Sequence, residues 1–188
     1  PPVTGVQISV DLDGRPGDQN LESQGGVAPD QEIVLEVYAS GLEDLTGAGV
    51  TVSYDSSQVY LRTFEPGNHV LNMGAGTVLF LSQIEPEVPS VELGGAIMGA
   101  TSATAVTGAG LLGRFYFSTL EDFAGEAQFT VSQVLLNTLS GATVLEPGLV
   151  AVVSDFSEQE LPEGPVSIDF DLAAGNQEQR RAGSATPG

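Results

Sequence analysis

The chain has 188 residues, enough for one domain with a sizeable core, and carries 25 Asp plus Glu against five arginines and no lysine, a formal net charge of -20. That balance excludes the clustered cations needed on nucleic-acid phosphates or an anionic membrane surface, and the absence of cysteine excludes disulfides, thiolate nucleophiles and Cys-ligated metals. A hydrophobic share of 41% excludes an acidic disordered chain, and no apolar run approaches the roughly 20 residues of a membrane span.

In chain order, the sequence reads as short runs rich in Val, Ile, Phe, Tyr and Thr, separated by Gly and Pro clusters. Strands are predicted over 6–13, 32–39, 49–54, 59–64, 77–83, 91–98, 110–118, 127–135, 142–145, 149–154 and 166–171. Glu65-Pro66-Gly67-Asn68 and Glu146-Pro147-Gly148 are turns. The one helical turn expected is at 55–59, and the small-residue stretch from Gly99 to Gly110 reads as a connector. Phe80, Phe115, Phe117 and Phe129 read as core. This many short strands predict an all-β fold: two packed antiparallel sheets in a jelly-roll sandwich, with an extra strand at the N-terminus and an extended one at the C-terminus.

The two ends resemble each other. Residues 8–30 and 166–188 align without a gap at an offset of 158: Ser9 meets Ser167, Asp11 meets Asp169, Asp13 meets Asp171, Gly17 meets Gly175, Gln19 meets Gln177, Gly25 meets Gly183 and Pro29 meets Pro187. The chain therefore divides into 1–25 (extra strand and turn), 26–154 (sandwich), 155–164 (acidic linker) and 165–188 (the second copy of the head). A tail with the head's side-chain pattern can take the head's place on a neighbouring molecule, a contact that propagates head to tail. In that reading Val166, Ile168 and Phe170 form the assembly strand, Arg180 and Arg181 attract the acidic body of the next subunit, and Ile8, Val10 and Leu12 mark the homologous acceptor position. The partners are then identical subunits or adjacent repeats.

Chemistry is sparse. A single histidine, His69, in the turn Pro66–Val70, reads as a surface residue without the carboxylate and nucleophile a general base needs, so no enzyme is expected. Asp11, Asp13 and Asp18, ahead of and beyond Gly14, supply hard oxygen atoms at short spacing, and calcium is the one cofactor they point to; a solvated strand face has the same residues. Stacking sugar binders use exposed aromatics, and the chain has no Trp, which leaves a carbohydrate-binding module as the weakest reading. The opening Pro1-Pro2-Val3 reads as a processed or excised piece, and the acidity suits an extracellular or cell-surface setting.

From Gly26 to Val153 the order of motifs resembles the cohesin family of bacterial surface and cellulosome modules. The resemblance rests on Gly26 to Val37 as the opening turn and second strand, on GAGVTVSYDSSQV at 47–59, on Glu65-Pro66-Gly67, on GTVLFLS at 76–82, on GLLGRFYFS at 110–118, and on Ala124-Gly125, Gln128 to Val134 and Leu149 to Val153. It implies a β-sandwich and a non-catalytic role. Cohesins hold dockerin domains through polar residues on the strand leading into Tyr-Asp; here the two positions read Gly47 and Gly49 in place of Asn and Asp. The resemblance thus implies a dockerin-type partner as the alternative to self-assembly, and makes the strand at 6–13 an addition ahead of the family's first strand.

Overall fold

The computed structural model describes residues 5–12, 22–85 and 88–155. Ten strands follow in order: β1 (Gln7–Leu12), β2 (Gln24–Val27), β3 (Glu32–Tyr54), β4 (Val59–Glu65), β5 (Val78–Glu85), β6 (Ser90–Ile97), β7 (Val106–Thr119), β8 (Glu126–Thr138), β9 (Gly141–Leu145) and β10 (Leu149–Asp155). Among the described residues a single 3-10 turn, Val70–Met73, joins β4 to β5.

The strands form a β-sandwich hinged on β3. Its first part, from Glu32 to Ala39, lies between β1 and β7, with β4 beyond β7; its second part, from Gly47 to Tyr54, lies between β6 and β8, with β5 beyond β6. On the far side of β8, β9 pairs with its C-terminal half and β10 with its N-terminal half. Two strands expected at 32–39 and 49–54 are thus one 23-residue strand. It passes from layer to layer through register shifts between Ala39 and Leu45, where Gly41 (φ 70) and Asp44 (φ 49) take left-handed conformations. At Gly41 a Cβ would collide with the Gly5 carbonyl oxygen, so only glycine fits.

Alternation puts Leu35, Val37 and Ala39 of one layer against Val50, Val52, Val91 and Leu93 of the other, all fully buried. Phe117 of β7 packs on Phe129 of β8 with ring centroids 4.8 Å apart, and on Tyr54 at 5.1 Å. Each such side chain contributes about 1.5–3 kcal/mol on burial. Phe115, Phe117 and Phe129 are core as expected; Phe80 is only half-buried, because β5 is the outermost strand of its layer.

Four details differ from the sequence reading. β2 is a further strand, and it crosses the expected division between residues 25 and 26. It pairs in parallel with β10, whereas the other strand pairs described are antiparallel. β1 is one of the strands of the sandwich: it runs antiparallel to β3 from Gln7 opposite Ser40 to Leu12 opposite Leu35, and Val10 and Leu12 lie in the core. Finally, β7 starts at Val106, so half of the stretch read as a connector is strand, and the remainder is a turn closed by Thr104 N–H donating to the Thr101 carbonyl at 3.0 Å.

Candidate functional site

The outer face of β5, β6, β3 and β8 is built from three cross-strand rows, since directly opposed residues in antiparallel strands project to the same side. One row runs Leu79, Ala96, Gly47, Asn137; the next runs Leu81, Gly94, Gly49, Leu135 and on to Val144 of β9; the third runs Gln83, Glu92, Thr51, Gln133. In the middle row two adjacent strands carry glycine where a side chain would stand. The result is an open trough of about 450 Å³, floored by Ala48, Gly49, Gly94 and Gly95 and walled by Leu79 and Leu81 on one side and Leu135 on the other. Leu81 is 71% exposed and Leu79 52% exposed, so the β5 wall stands free in solvent. The polar lining residues are Asn137, Ser82, Gln83 and Glu92, and among the described residues no aromatic ring lines the trough.

The trough has room for side chains. A Cβ on Gly49 would come no closer than 3.8 Å to Glu92 Oε1, Gly94 Cα or Leu135 Cβ, and one on Gly94 no closer than 3.7 Å to the Ala48 carbonyl oxygen. Neither position needs glycine for its backbone, so the bareness at Gly49 and Gly94 is a property of the surface and not a requirement of the fold.

The opposite layer carries a row of another kind. Asp11 of β1 faces Glu36 of β3, Glu36 faces Arg114 of β7, and Arg114 faces Glu65 of β4. Arg114 Nε donates to Glu36 Oε1 at 2.5 Å and Nη1 to Glu65 Oε2 at 2.8 Å, while the Tyr116 hydroxyl donates to Glu65 Oε2 at 3.0 Å. Asp11, Glu36 and Arg114 are all buried. The Arg114 and Tyr116 hydrogen bonds hold the Glu65 carboxyl below its ordinary pKa.

Asp11 was expected on a solvated strand face; it is fully buried instead. Its Oδ1 accepts from the Glu22 N–H at 2.9 Å, and its Oδ2 is buried without a hydrogen-bond partner. Asp13 and Asp18, the other two residues of the calcium reading, lie outside the described residues, and among the described residues no three His, Asp or Glu side chains gather as metal ligands. Ile8, Val10 and Leu12 are brought together on β1. Val166, Ile168, Phe170, Arg180 and Arg181 lie outside the described residues.

His69 is also buried, contrary to the surface position expected. Its Nδ1 accepts from the Leu71 N–H at 3.1 Å, capping the 3-10 turn, and its ring meets Phe80 edge-on at 5.2 Å. Nε2 is buried without a partner, and burial lowers the pKa to about 4. A histidine held neutral as a turn cap is a structural residue.

Comparison with known proteins places this geometry. No family model and no curated protein sequence matches the chain. Solved structures do. The sixth cohesin of Acetivibrio cellulolyticus scaffoldin B, determined in complex with a Cel5 dockerin mutant, superposes with a TM-score of 0.58 at 18% identity, covering 80% of this chain and 99% of that one. The domain has a cohesin-like fold. A cohesin from a type I cohesin–dockerin complex of Clostridium thermocellum gives 0.57 at 11% identity, covering 79% and 99%. A non-cellulosomal cohesin from the archaeon Archaeoglobus fulgidus gives 0.53 at 14%, covering 82% and 94%. At these identities the likeness is one of fold. In this cohesin-like domain Gly47 and Gly49, the two positions marked in the sequence, lie in the trough rows. Leu79, Leu81, Gly94 and Leu135 were not marked; the pair Gly94-Gly95 inside a strand was the one signal in the sequence that pointed to them.

Proposed function

We propose that this domain is a non-catalytic binding module that receives a dockerin-type helical partner in the glycine-floored trough. The observation that carries the reading is the row Leu81–Gly94–Gly49–Leu135: an apolar slot between two leucine walls, on the surface of a domain with a cohesin-like fold, two of whose structural neighbours were determined with dockerins. With glycines in place of polar anchors, specificity shifts from hydrogen bonds to shape. The partner's contact ridge is apolar and narrow, and Asn137 and Glu92 set its ends. The test is binding of a panel of dockerin domains to the full chain by calorimetry. Gly94→Leu fills the slot and abolishes binding; a partner that binds the variant as tightly as the parent contacts some other surface.

The repetition of residues 8–30 at 166–188 favours a second reading, assembly of the chain with itself at a cell surface or in an extracellular fibre. Val10 and Leu12 are core residues of β1, so the matching Ile168 and Phe170 have the apolar pattern of a strand that a sandwich accepts. Deleting residues 165–188 then abolishes polymers seen by light scattering or electron microscopy. Calcium is proposed at Asp11, whose Oδ2 is buried and unpartnered; the test is a rise in melting temperature with added calcium that a chelator reverses.

A further inference from the structure

We propose that the outer edge of β5 accepts a strand, the segment Val166–Asp171 of a second copy of this chain. The proposal rests on the self-assembly reading above and identifies the acceptor.

The edges of the sandwich are not equivalent. β4 is interrupted by a register shift between Leu61 and Thr63, and it carries Arg62 paired with Glu32. β9 has only five residues. On β1, the last N–H, that of Leu12, is engaged by the Glu22 carbonyl at 2.6 Å. β5 has none of these protections. It pairs with β6 over eight residues without a register shift, it contains no Pro, Gly, Lys or Arg, and among the described residues no strand lies on its other side. Leu79, Leu81 and Ile84 are each more than half exposed. A long, regular, apolar edge of this kind is a template for an added strand.

The alternative acceptor is the place of β1, and it is filled. A tail entering there must expel Val10 and Leu12 from the core and break the pairing of Gln7–Leu12 with Leu35–Ser40. Addition at β5 displaces no described strand. The donor has the required alternation, with Val166, Ile168 and Phe170 on one side to lie against Leu79 and Leu81, and the polar Ser167, Asp169 and Asp171 on the other. Geometry also makes the contact open-ended. The strand order runs β2, β10, β8, β3, β6, β5; the described chain leaves from Asp155 of β10, next to one end, and β5 is the other end. A donor leaving near one edge and an acceptor at the opposite edge make a heterologous contact that repeats without closing.

The chain has no cysteine, so introduced thiols report contacts without background. Full-length Ser167→Cys is mixed with differently tagged full-length chains carrying a thiol on the face of β5 that Ser167 shares (Phe80→Cys, Ser82→Cys or Ile84→Cys) or at the β1 site (Tyr38→Cys, opposite Ser9, the counterpart of Ser167). Mild oxidation is expected to give heterodimers with at least one β5 variant and none with Tyr38→Cys, and Leu81→Lys is expected to lose polymers while keeping the parental melting temperature. Heterodimers with Tyr38→Cys alone overturn the β5 edge but keep self-assembly, with β1 displaced. Absence of heterodimers with any variant, together with polymers unchanged by deletion of residues 165–188, overturns both.

Discussion

Two rows of side chains cross this sandwich, one on each layer, and they are opposites. Asp11–Glu36–Arg114–Glu65 is a line of charge whose first three members are buried and whose arginine is held by two carboxylates. Leu81–Gly94–Gly49–Leu135–Val144 is a line with no charge, no hydrogen bonds between its side chains and a gap in its middle. Apart from Asp11 Oδ2, the first row is satisfied by the protein's own groups and serves the fold. The second leaves exposed leucine and an open trough among the described residues. Burial distinguishes the acidic row, and exposed apolar surface the leucine row, where Leu81 and Val144 are both more than half exposed.

The sharpest way to break that contrast is Arg114→Met. Losing the guanidinium while Glu36 stays buried is expected to cost about 3–5 kcal/mol in urea unfolding, and partner binding by the fraction that remains folded should be unchanged. A loss of binding without a loss of stability would show that the charged row is the functional one.

Acid is the next probe. His69 has a folded pKa of about 4 against an ordinary value of 6.5. Between those values the unfolded chain takes up a proton that the folded chain does not, so the stability is fully present above about pH 6.5 and declines as pH falls to about 4, by about 3 kcal/mol in all. Glu65, also depressed, adds a loss in the same direction as pH falls through its own lowered pKa. Urea midpoints at pH 7 and pH 4.5 check this: His69→Asn, which keeps an acceptor for the Leu71 N–H, is expected to flatten the decline.

At the trough the expected change in stability is smaller and of opposite sign. Gly94→Val adds a strand-favouring side chain where a Cβ fits, and should raise stability by up to about 1 kcal/mol while removing partner binding. Leu81→Lys is expected to alter stability by less than about 0.5 kcal/mol and to act only on contacts with other molecules. If either trough variant unfolds the domain, the division of labour between the rows is wrong.

The strands themselves were legible in the sequence because turn residues bracket apolar alternation, and the jelly-roll sandwich followed from their number. β2 was not: Gln24-Gly25-Gly26-Val27 has almost no side-chain pattern and is held by main-chain pairing to β10. The junction within β3 was misread because Gly41 and Asp44, which look like a turn, are bends along one continuous strand. Burial of polar residues was the hardest part. Asp11 and His69 look like solvent residues in any local window, and only contacts distant in sequence reveal that Asp11 lies opposite Glu36 and His69 against Phe80. The trough was half legible. Gly47 and Gly49 stood out against the polar residues the family resemblance led one to expect, but Val78-Leu79-Phe80-Leu81 is a continuous apolar run, and such a run does not tell which leucines face outward.

The bond from Leu12 N–H to the Glu22 carbonyl, with Glu22 N–H returning to Asp11, staples two points ten residues apart in sequence into one spot on the sandwich. For protein engineering this is a splice point. Because the staple already fixes both ends, replacing what lies between Leu12 and Glu22 by a longer peptide costs only the slow logarithmic growth of loop closure, about 0.6 kcal/mol per doubling of length. An epitope or fluorophore tag grafted there would leave the β5 edge and the trough untouched, and would make the module visible without occupying either surface.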